Sequence, residues 1–361
     1  MFSPSDITVY VPYFNAARTI ARCSDSLKNQ SITPFEIIII NDGSEEPLPS
    51  SVKIRVINHS GNKGLSAARN TALNACQTRL IASIDADVVA EKDWLENLLK
   101  ALNETGAAGV GGRMNEHYQN NLGDRWRAVH MAQNWGGKSV KNPRFLFGAN
   151  TLFKVKDLKD AGGYNENLRT NNEDRTISDS LYKIGKSLFY EASAGCSHLR
   201  QDKTETILSA YWGWHHAKGM LEGDFDTVEG ILGRIGRVNF GIGNYRYNLD
   251  EENKRKDFQL LDLLIPYVFC CRDIILFCKK TDRALPNLTE LAACMGLGGT
   301  DFLQSFIPPL NYETSSNSWF DKYLDIYRSQ LKEFMTVEKL RALDFEGWLS
   351  ENIDRVFEKK R

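Results

Sequence analysis

The chain has 361 residues, 42% hydrophobic and 25% charged, an ordinary globular composition long enough for one large α/β domain with an appendage or for two domains. A formal net charge of -1 excludes nucleic acid as a partner, because no basic excess is present to neutralise phosphates. Seven scattered cysteines, none spaced as C-x-x-C, exclude a zinc ribbon and a disulfide framework, and read as core residues of a reducing compartment.

The N-terminus, MFSPSDITVYVP, lacks a basic region followed by an apolar one, so no signal peptide is expected there. Ile7 to Pro12 reads as a strand and Thr19 to Asn29 as a helix, with Ile20, Cys23 and Leu27 at helical spacing. Phe35 to Ile40 reads as a second buried strand, closed by the turn formers Asn41-Asp42-Gly43-Ser44. A third strand is expected over Ile54 to Ile57 and an Ala-rich helix over Leu65 to Cys76. Leu80 to Val89, LIASIDADVV, reads as a strand buried on both faces, followed by a helix from Ala90 with Trp94, Leu95, Leu98, Leu99 and Leu102 on one side. Side chains alternate along a strand, so Asp85 and Asp87 are expected to point the same way. They cap the following helix or share a cation.

This alternation predicts a mostly parallel sheet flanked by helices, with ligands beyond the carboxyl ends of its strands. Polar groups collect at four successive strand ends: Tyr13 to Asn15, Asp42, Asn62-Lys63-Gly64, and Asp85 with Asp87. A binding crevice follows.

Further on, short strands are expected at Phe145 to Phe147 and Thr151 to Phe153, and a short helix over Val155 to Ala161. Asn171-Asn172-Glu173-Asp174 leads into a helix carrying Ile177, Leu181 and Ile184, and Leu188 to Ala192 reads as a strand before His198. Beyond about Lys203 the chain reads as mainly helical. His215 and His216, beside Trp212, fit helix packing better than sugar binding. Asn287-Leu288-Thr289 fits the glycosylation pattern and reads as chance without a secretory signal. Leu260 to Cys278 is the most apolar segment, but its longest uncharged run is nine residues, which suits a buried helix better than a bilayer span or a membrane-surface helix. Phe302, Phe306, Trp319 and Tyr323 suffice for a dimer surface or for internal packing.

Gly137-Lys138-Ser139 has Ala132 where a P-loop needs glycine, and no G-x-G-x-x-G follows the first strand. No G-x-S-x-G elbow and no H-E-x-x-H occurs either. Without a glycine cradle a phosphate ligand needs a cation, and paired aspartates suit Mg²⁺ or Mn²⁺ completed by a diphosphate. A metal-assisted group transfer from a nucleoside diphosphate is the natural reading.

Val11-Pro12-Tyr13-Phe14-Asn15, Asn41-Asp42-Gly43-Ser44, Gly61 to Asn70 (GNKGLSAARN) and Asp85-Ala86-Asp87 resemble, in order, the signature blocks of family 2 glycosyltransferases. The likeness continues through Phe147-Gly148-Ala149-Asn150, Ala161 to Glu166 and Glu173-Asp174, and fades after about residue 200. It implies a GT-A fold over residues 1–205, a helical region over 206–361, and an inverting transfer from a UDP-type sugar donor to a saccharide or lipid-linked saccharide. By this resemblance Pro12, Tyr13, Asn15, Asp42, Lys63, Arg69, Asp85 and Ala86 bind the donor, with Asp42 on the base and Asp85 nearer the ribose. Asp87 and His198 hold Mn²⁺ or Mg²⁺, and Asp174, beside Glu173, is the general base. The absence of a Gln-x-x-Arg-Trp block sets the chain apart from processive synthases and favours single-sugar addition. The implied setting is cytoplasmic surface-polysaccharide or glycoconjugate assembly, in solution or at the inner membrane face. A sugar nucleotidyltransferase needs a glycine-rich basic loop where Tyr13-Phe14-Asn15-Ala16-Ala17 stands, and a non-catalytic donor-binding protein has no need of Asp85, Asp87 and Asp174 together.

Overall fold

The computed structural model describes residues 1–227 and, beyond them, 230–231, 233–234, 269, 272–273 and 276–282. Its contacts divide the chain into two units, Met1–Lys203 and Thr204–Arg361.

In the first unit the first strand, β1 (Ile7–Tyr13), is buried at every position. Helix α1 (Ile20–Lys28) follows, then strands β2 (Glu36–Asn41) and β3 (Arg55–Asn58), helix α2 (Leu65–Ala75) and strand β4 (Leu80–Ile84). These strands lie in the order β3-β2-β1-β4 with every pairing parallel. Alternation along β1 sorts its side chains between two cores. Val9, Val11 and Tyr13 pack with Ile20, Leu27, Trp94 and Leu98 on one face, and Tyr10 packs with Ile38, Ala72, Ile177 and Leu181 on the other. Each fully buried aliphatic side chain of this kind contributes roughly 1.5–3 kcal/mol.

The expected run from Leu80 to Val89 is broken. β4 stops at Ile84, and Val88–Ala90 forms a separate strand, β5, so Asp85 to Asp87 cross between the two. The helix expected from Ala90 begins later, as α3 (Trp94–Thr105). Next come β6 (Gly109–Glu116), α4 (Leu122–His130), β7 (Val140–Lys141), β8 (Asn150–Lys154), α5 (Val155–Asp160), α6 (Glu173–Lys183) and β9 (Leu188–His198). β8 lies antiparallel between β4 and β6, β9 runs parallel to β6, and β5 and β7 pair antiparallel with β9. The α/β architecture is as expected, with its parallel order confined to the first half and to the β6–β9 pair.

Phe145 to Phe147 is a loop instead of a strand. Both phenylalanines pack on Trp135, with ring centroids 5.3 and 5.6 Å away, so their aromatic character serves a cluster. β6, in contrast, was not anticipated. Its sequence, GVGGRMNE, is glycine-rich because neighbours press on the backbone: a Cβ on Gly112 would lie 2.1 Å from the Ala194 carbonyl oxygen.

Parallel β1, β2, β4, β6 and β9 end on one rim, and antiparallel β8 begins there, with Ile84 in register with Asn150. This rim carries the site.

In the second unit, α7 spans Thr204–Glu222. Within it His216 stacks on Trp212 at 4.2 Å, the Trp212 indole donates to Asp273, and burial pushes the His215 imidazole down to about 4. These contacts are those of side chains packed within the unit. No helix among the described residues is long and apolar enough to cross a membrane. The expectations for Asn287 to Thr289, Phe302, Phe306, Trp319 and Tyr323, and for most of Leu260 to Cys278, lie outside the described residues.

Candidate active site

The turn between β4 and β5 closes through a hydrogen bond from the Val88 amide to the Asp85 carbonyl, 3.0 Å. Ala86 is buried, while the Asp85 and Asp87 side chains are 31% and 34% exposed and near enough for the charge of one to act on the other. Burial raises the Asp85 pKa; Arg69 opposes this and the charge of Asp87 adds to it. Its Oδ1 atom has no hydrogen-bond donor in the protein, although it is buried.

Asp87 differs. Burial would raise its pKa, but His198 overcomes that and holds it below the usual carboxylate value. The His198 Nε2 atom lies 3.2 Å from Asp87 Oδ2, and its Nδ1 lies 2.9 Å from a Glu116 oxygen. Burial alone would lower the imidazole pKa, yet these two carboxylates raise it to about 9. The backbone places the trio: His198 pairs with Glu116 across β6–β9 and with Val88, the residue after Asp87, across β5–β9.

Arg69 stands beneath this group. It is the fifth residue of α2, with its side chain turned inward and 1% exposed. Nη1 donates to Ser83 Oγ (2.7 Å), to the Gly148 carbonyl (2.8 Å) and to the Tyr10 hydroxyl (3.2 Å). Nη2 lies 3.5 Å from Asp85 and 3.6 Å from Glu173, and the guanidinium also sits over the Tyr164 ring. Its contacts are with the protein, so Arg69 reaches the rim through Asp85.

Two successive left-handed residues, Asn171 and Asn172, turn the chain into α6, a conformation asparagine tolerates better than most residues. The turn puts Glu173 inward and leaves Asp174 partly open to solvent. Asp174 accepts from the Arg175 amide (2.7 Å) and from the Gly148 amide (3.2 Å). Gly148 therefore joins the base candidate to Arg69, and a Cβ there would meet Arg69 Nη2 at 2.6 Å. Only glycine fits. Burial, then the charge of Asp174, pushes Glu173 up to about 7, and burial raises Asp174.

On the opposite flank Asp42 is 4% exposed and its carboxylate is engaged by protein donors. Oδ1 receives the Lys63 amide (2.8 Å) and faces His59 Nδ1 (2.6 Å), and Oδ2 receives the Gly64 amide (2.8 Å). His59 continues to Thr71 at 2.8 Å. Asp42 thus shapes the loop that presents the exposed Lys63, leaving at most one lone-pair site for a ligand. Asn15, at φ 49°, accepts from the Glu45 amide, and Pro12 and Tyr13 are buried.

The structure brings Arg69, Asp85, Asp87, Glu173, Asp174 and His198 together at one rim, and Asp42 with Lys63 on a second loop. Sequence reasoning missed Glu116, His59 and the role of Gly148. Glu116 closes a strand that glycine disguised, and His59 follows β3 with no motif around it.

The donor chemistry fits a divalent cation. Asp87 and His198 are juxtaposed hard-oxygen and imidazole ligands, and Asp85 adds a buried oxygen without a donor. Among the described residues no group of three or more His, Cys, Asp or Glu side chains is arranged to hold a metal ion alone. A cation on two side chains would complete its shell with substrate oxygens and water.

Residues 8–162 match Glycosyl transferase family 2. A pre-mycofactocin glycosyltransferase from Mycobacterium tuberculosis is 29% identical over 208 residues, covering 54% of this chain and 43% of that protein. A chondroitin synthase from Escherichia coli is 34% identical over 98 residues, covering 25% of this chain and 14% of that protein. The chain thus matches less than half the length of these relatives. A solved structure titled "Crystal structure of GalNAc-T7 with UDP, GalNAc and Mn2+" aligns with a TM-score of 0.44 at 14% identity, covering 54% of this chain and 44% of that one.

Proposed function

We propose that the chain, whose residues 8–162 match Glycosyl transferase family 2, moves a single sugar, with inversion, from a nucleoside-diphosphate sugar to an acceptor hydroxyl. The observation that carries this reading is the convergence of Asp85, Asp87, His198 and Asp174 on one rim, with Arg69 beneath them.

Asp174 is the general base. Two backbone amides fix its carboxylate, leaving lone pairs for the acceptor hydroxyl. As the proton passes to Asp174, the hydroxyl oxygen bonds to the anomeric carbon from the face opposite the nucleotide. The bond from that carbon to the diphosphate breaks, and its electron pair leaves with the diphosphate. Glu173 stays inside, where with Asp85 it locks Arg69 in place. Asp85 faces the ribose side of the donor. Asp42 holds the Lys63 loop over the base side, with Tyr13, Pro12 and Asn15 forming the adjoining wall and Ala86 keeping the turn tight. A Mn²⁺ or Mg²⁺ ion held by Asp87 and His198 would supply positive charge to the diphosphate leaving group. The region from residue 206 serves the acceptor, a membrane surface or a second copy of the chain, and the product is a surface polysaccharide or glycoconjugate.

The test is nucleotide release from UDP-, GDP- and dTDP-sugars with Mn²⁺, Mg²⁺ or EDTA. Release from one nucleotide class, lost with EDTA, is expected; no release from any donor, with or without a saccharide acceptor, contradicts the proposal.

A further inference from the structure

We infer that Glu116 is a positioning residue of the cation site, acting through His198; this rests on the transferase reading above. The inference starts from the strand ends. β6 and β9 run parallel until Glu116 stands in register with His198, and the Leu199 amide bonds to the Asp87 carbonyl at 2.7 Å. His198 is thereby clamped between one carboxylate on each side, and each takes a different ring nitrogen.

The geometry on the Glu116 side is one-sided. Both carboxylate oxygens of Glu116 lie within reach of Nδ1, at 2.9 and 3.1 Å, and the Glu116 side chain is 5% exposed. A carboxylate accepts and cannot donate, so Nδ1 must carry a hydrogen. Nε2 faces Asp87 Oδ2, also an acceptor, so both ring nitrogens carry hydrogen in the structure as it stands; when Nε2 gives up its hydrogen the lone pair resides there, because Nδ1 stays committed to Glu116. The exposed face of the site therefore receives the nitrogen able to ligate. A negative charge behind the ring also raises the basicity of that nitrogen, the usual effect of a carboxylate behind a metal-bound histidine.

Asp87 and His198 share the site with Asp85, whose charge faces Arg69. Arg200 lies close enough to lower the Asp87 pKa. These charges surround Nε2 and cannot substitute for Glu116, because none of them reaches Nδ1. A merely structural role for Glu116, neutralising a buried imidazolium, would require only charge and would leave cation affinity in the folded protein untouched.

The test uses the full chain with Mn²⁺ as the probe, counted by electron paramagnetic resonance in the presence of UDP. Glu116→Gln is expected to weaken Mn²⁺ binding by about 10- to 100-fold, with UDP binding in EDTA unchanged. In a His198→Ala background the same substitution should have no further effect on Mn²⁺ affinity, since the two act as one unit. The nitrogen shifts of the His198 ring should report hydrogen on Nδ1 in the unaltered protein with Mg²⁺ and UDP, and mixed tautomers in Glu116→Gln. Equal Mn²⁺ affinity for Glu116→Gln and the unaltered protein, or a hydrogen on Nε2 in the Mg²⁺ complex, overturns the inference and leaves the transferase reading standing. Absence of Mn²⁺ binding by the unaltered protein in the presence of UDP overturns both.

Discussion

Asp174→Asn is expected to retain donor binding and to lose sugar transfer by about 10²- to 10⁴-fold, the range that general-base catalysis contributes. Asparagine matches the shape of aspartate, and its one oxygen can still accept from the Arg175 amide at the α6 entry turn, while the bond from the Gly148 amide, made to the other oxygen, is lost. It cannot take a proton from the acceptor hydroxyl. The loss therefore falls on the step that breaks the donor, and the measurement is transfer rate beside donor affinity. Equal loss of both would assign Asp174 to the fold. The pair also sets a pH limb. Burial and the neighbouring charge place Glu173 at about 7, above its ordinary 4.5, so activity should fall as pH drops through this range and the pair gains a proton. Glu173→Gln removes a like charge beside Asp174, and the acid limb should move to lower pH.

Arg69→Met is expected to destabilise the fold by about 3–5 kcal/mol, the cost of leaving a buried ionic partner uncompensated. Arg69 is 1% exposed, so solvent cannot replace it. Its removal strands Asp85 and Glu173 and takes donors from Ser83 and the Gly148 carbonyl. The penalty has a pH signature. A carboxyl whose folded pKa is raised destabilises the folded state fully above that value, and the cost disappears once pH falls below the unfolded value. Glu173 stands at about 7 with Arg69 present and rises further without it, so its share of the variant's deficit should be largest well above 7 and vanish as pH falls below about 7, where Glu173 is protonated in both folded proteins. Urea unfolding across that range measures it. A variant as stable as the unaltered protein at pH 8 would show that Arg69 does not carry these charges.

Much of the first unit could be read from sequence. Its strands are continuous apolar runs ended by turn formers, and its helices repeat at 3.6, so β1 to β3, α1 and α2 lie within a residue or two of expectation, while the strand expected to Val89 stops at Ile84. The pair Asp85 and Asp87 stood out because two carboxylates after a buried run need a reason, although the turn that carries them, between β4 and β5, did not. β6 was not visible, because close approach of Ala194, Leu146 and Asn150 to its backbone demands glycine and erases the strand pattern. Phe145 to Phe147 misled in the opposite direction, its rings serving a cluster with Trp135. Arg69 was singled out by its motif, which does not show what faces it. Its partners are Gly148, in a loop 79 residues on, and Glu173, the first residue of α6, and they bury its guanidinium beneath the rim. Asp42 was found by its motif, while its three protein partners became clear only when His59 and the Lys63 loop closed around it.

Calorimetric titration of the full chain with UDP, GDP and dTDP, with and without Mn²⁺, tests the central claim most directly. A uridine-type diphosphate should bind, and Mn²⁺ should strengthen its binding in the unaltered protein but not in Asp87→Asn. Binding of none of the three nucleotides, or binding that ignores both the metal and Asp87, would contradict a metal-assisted nucleotide-sugar site at this rim.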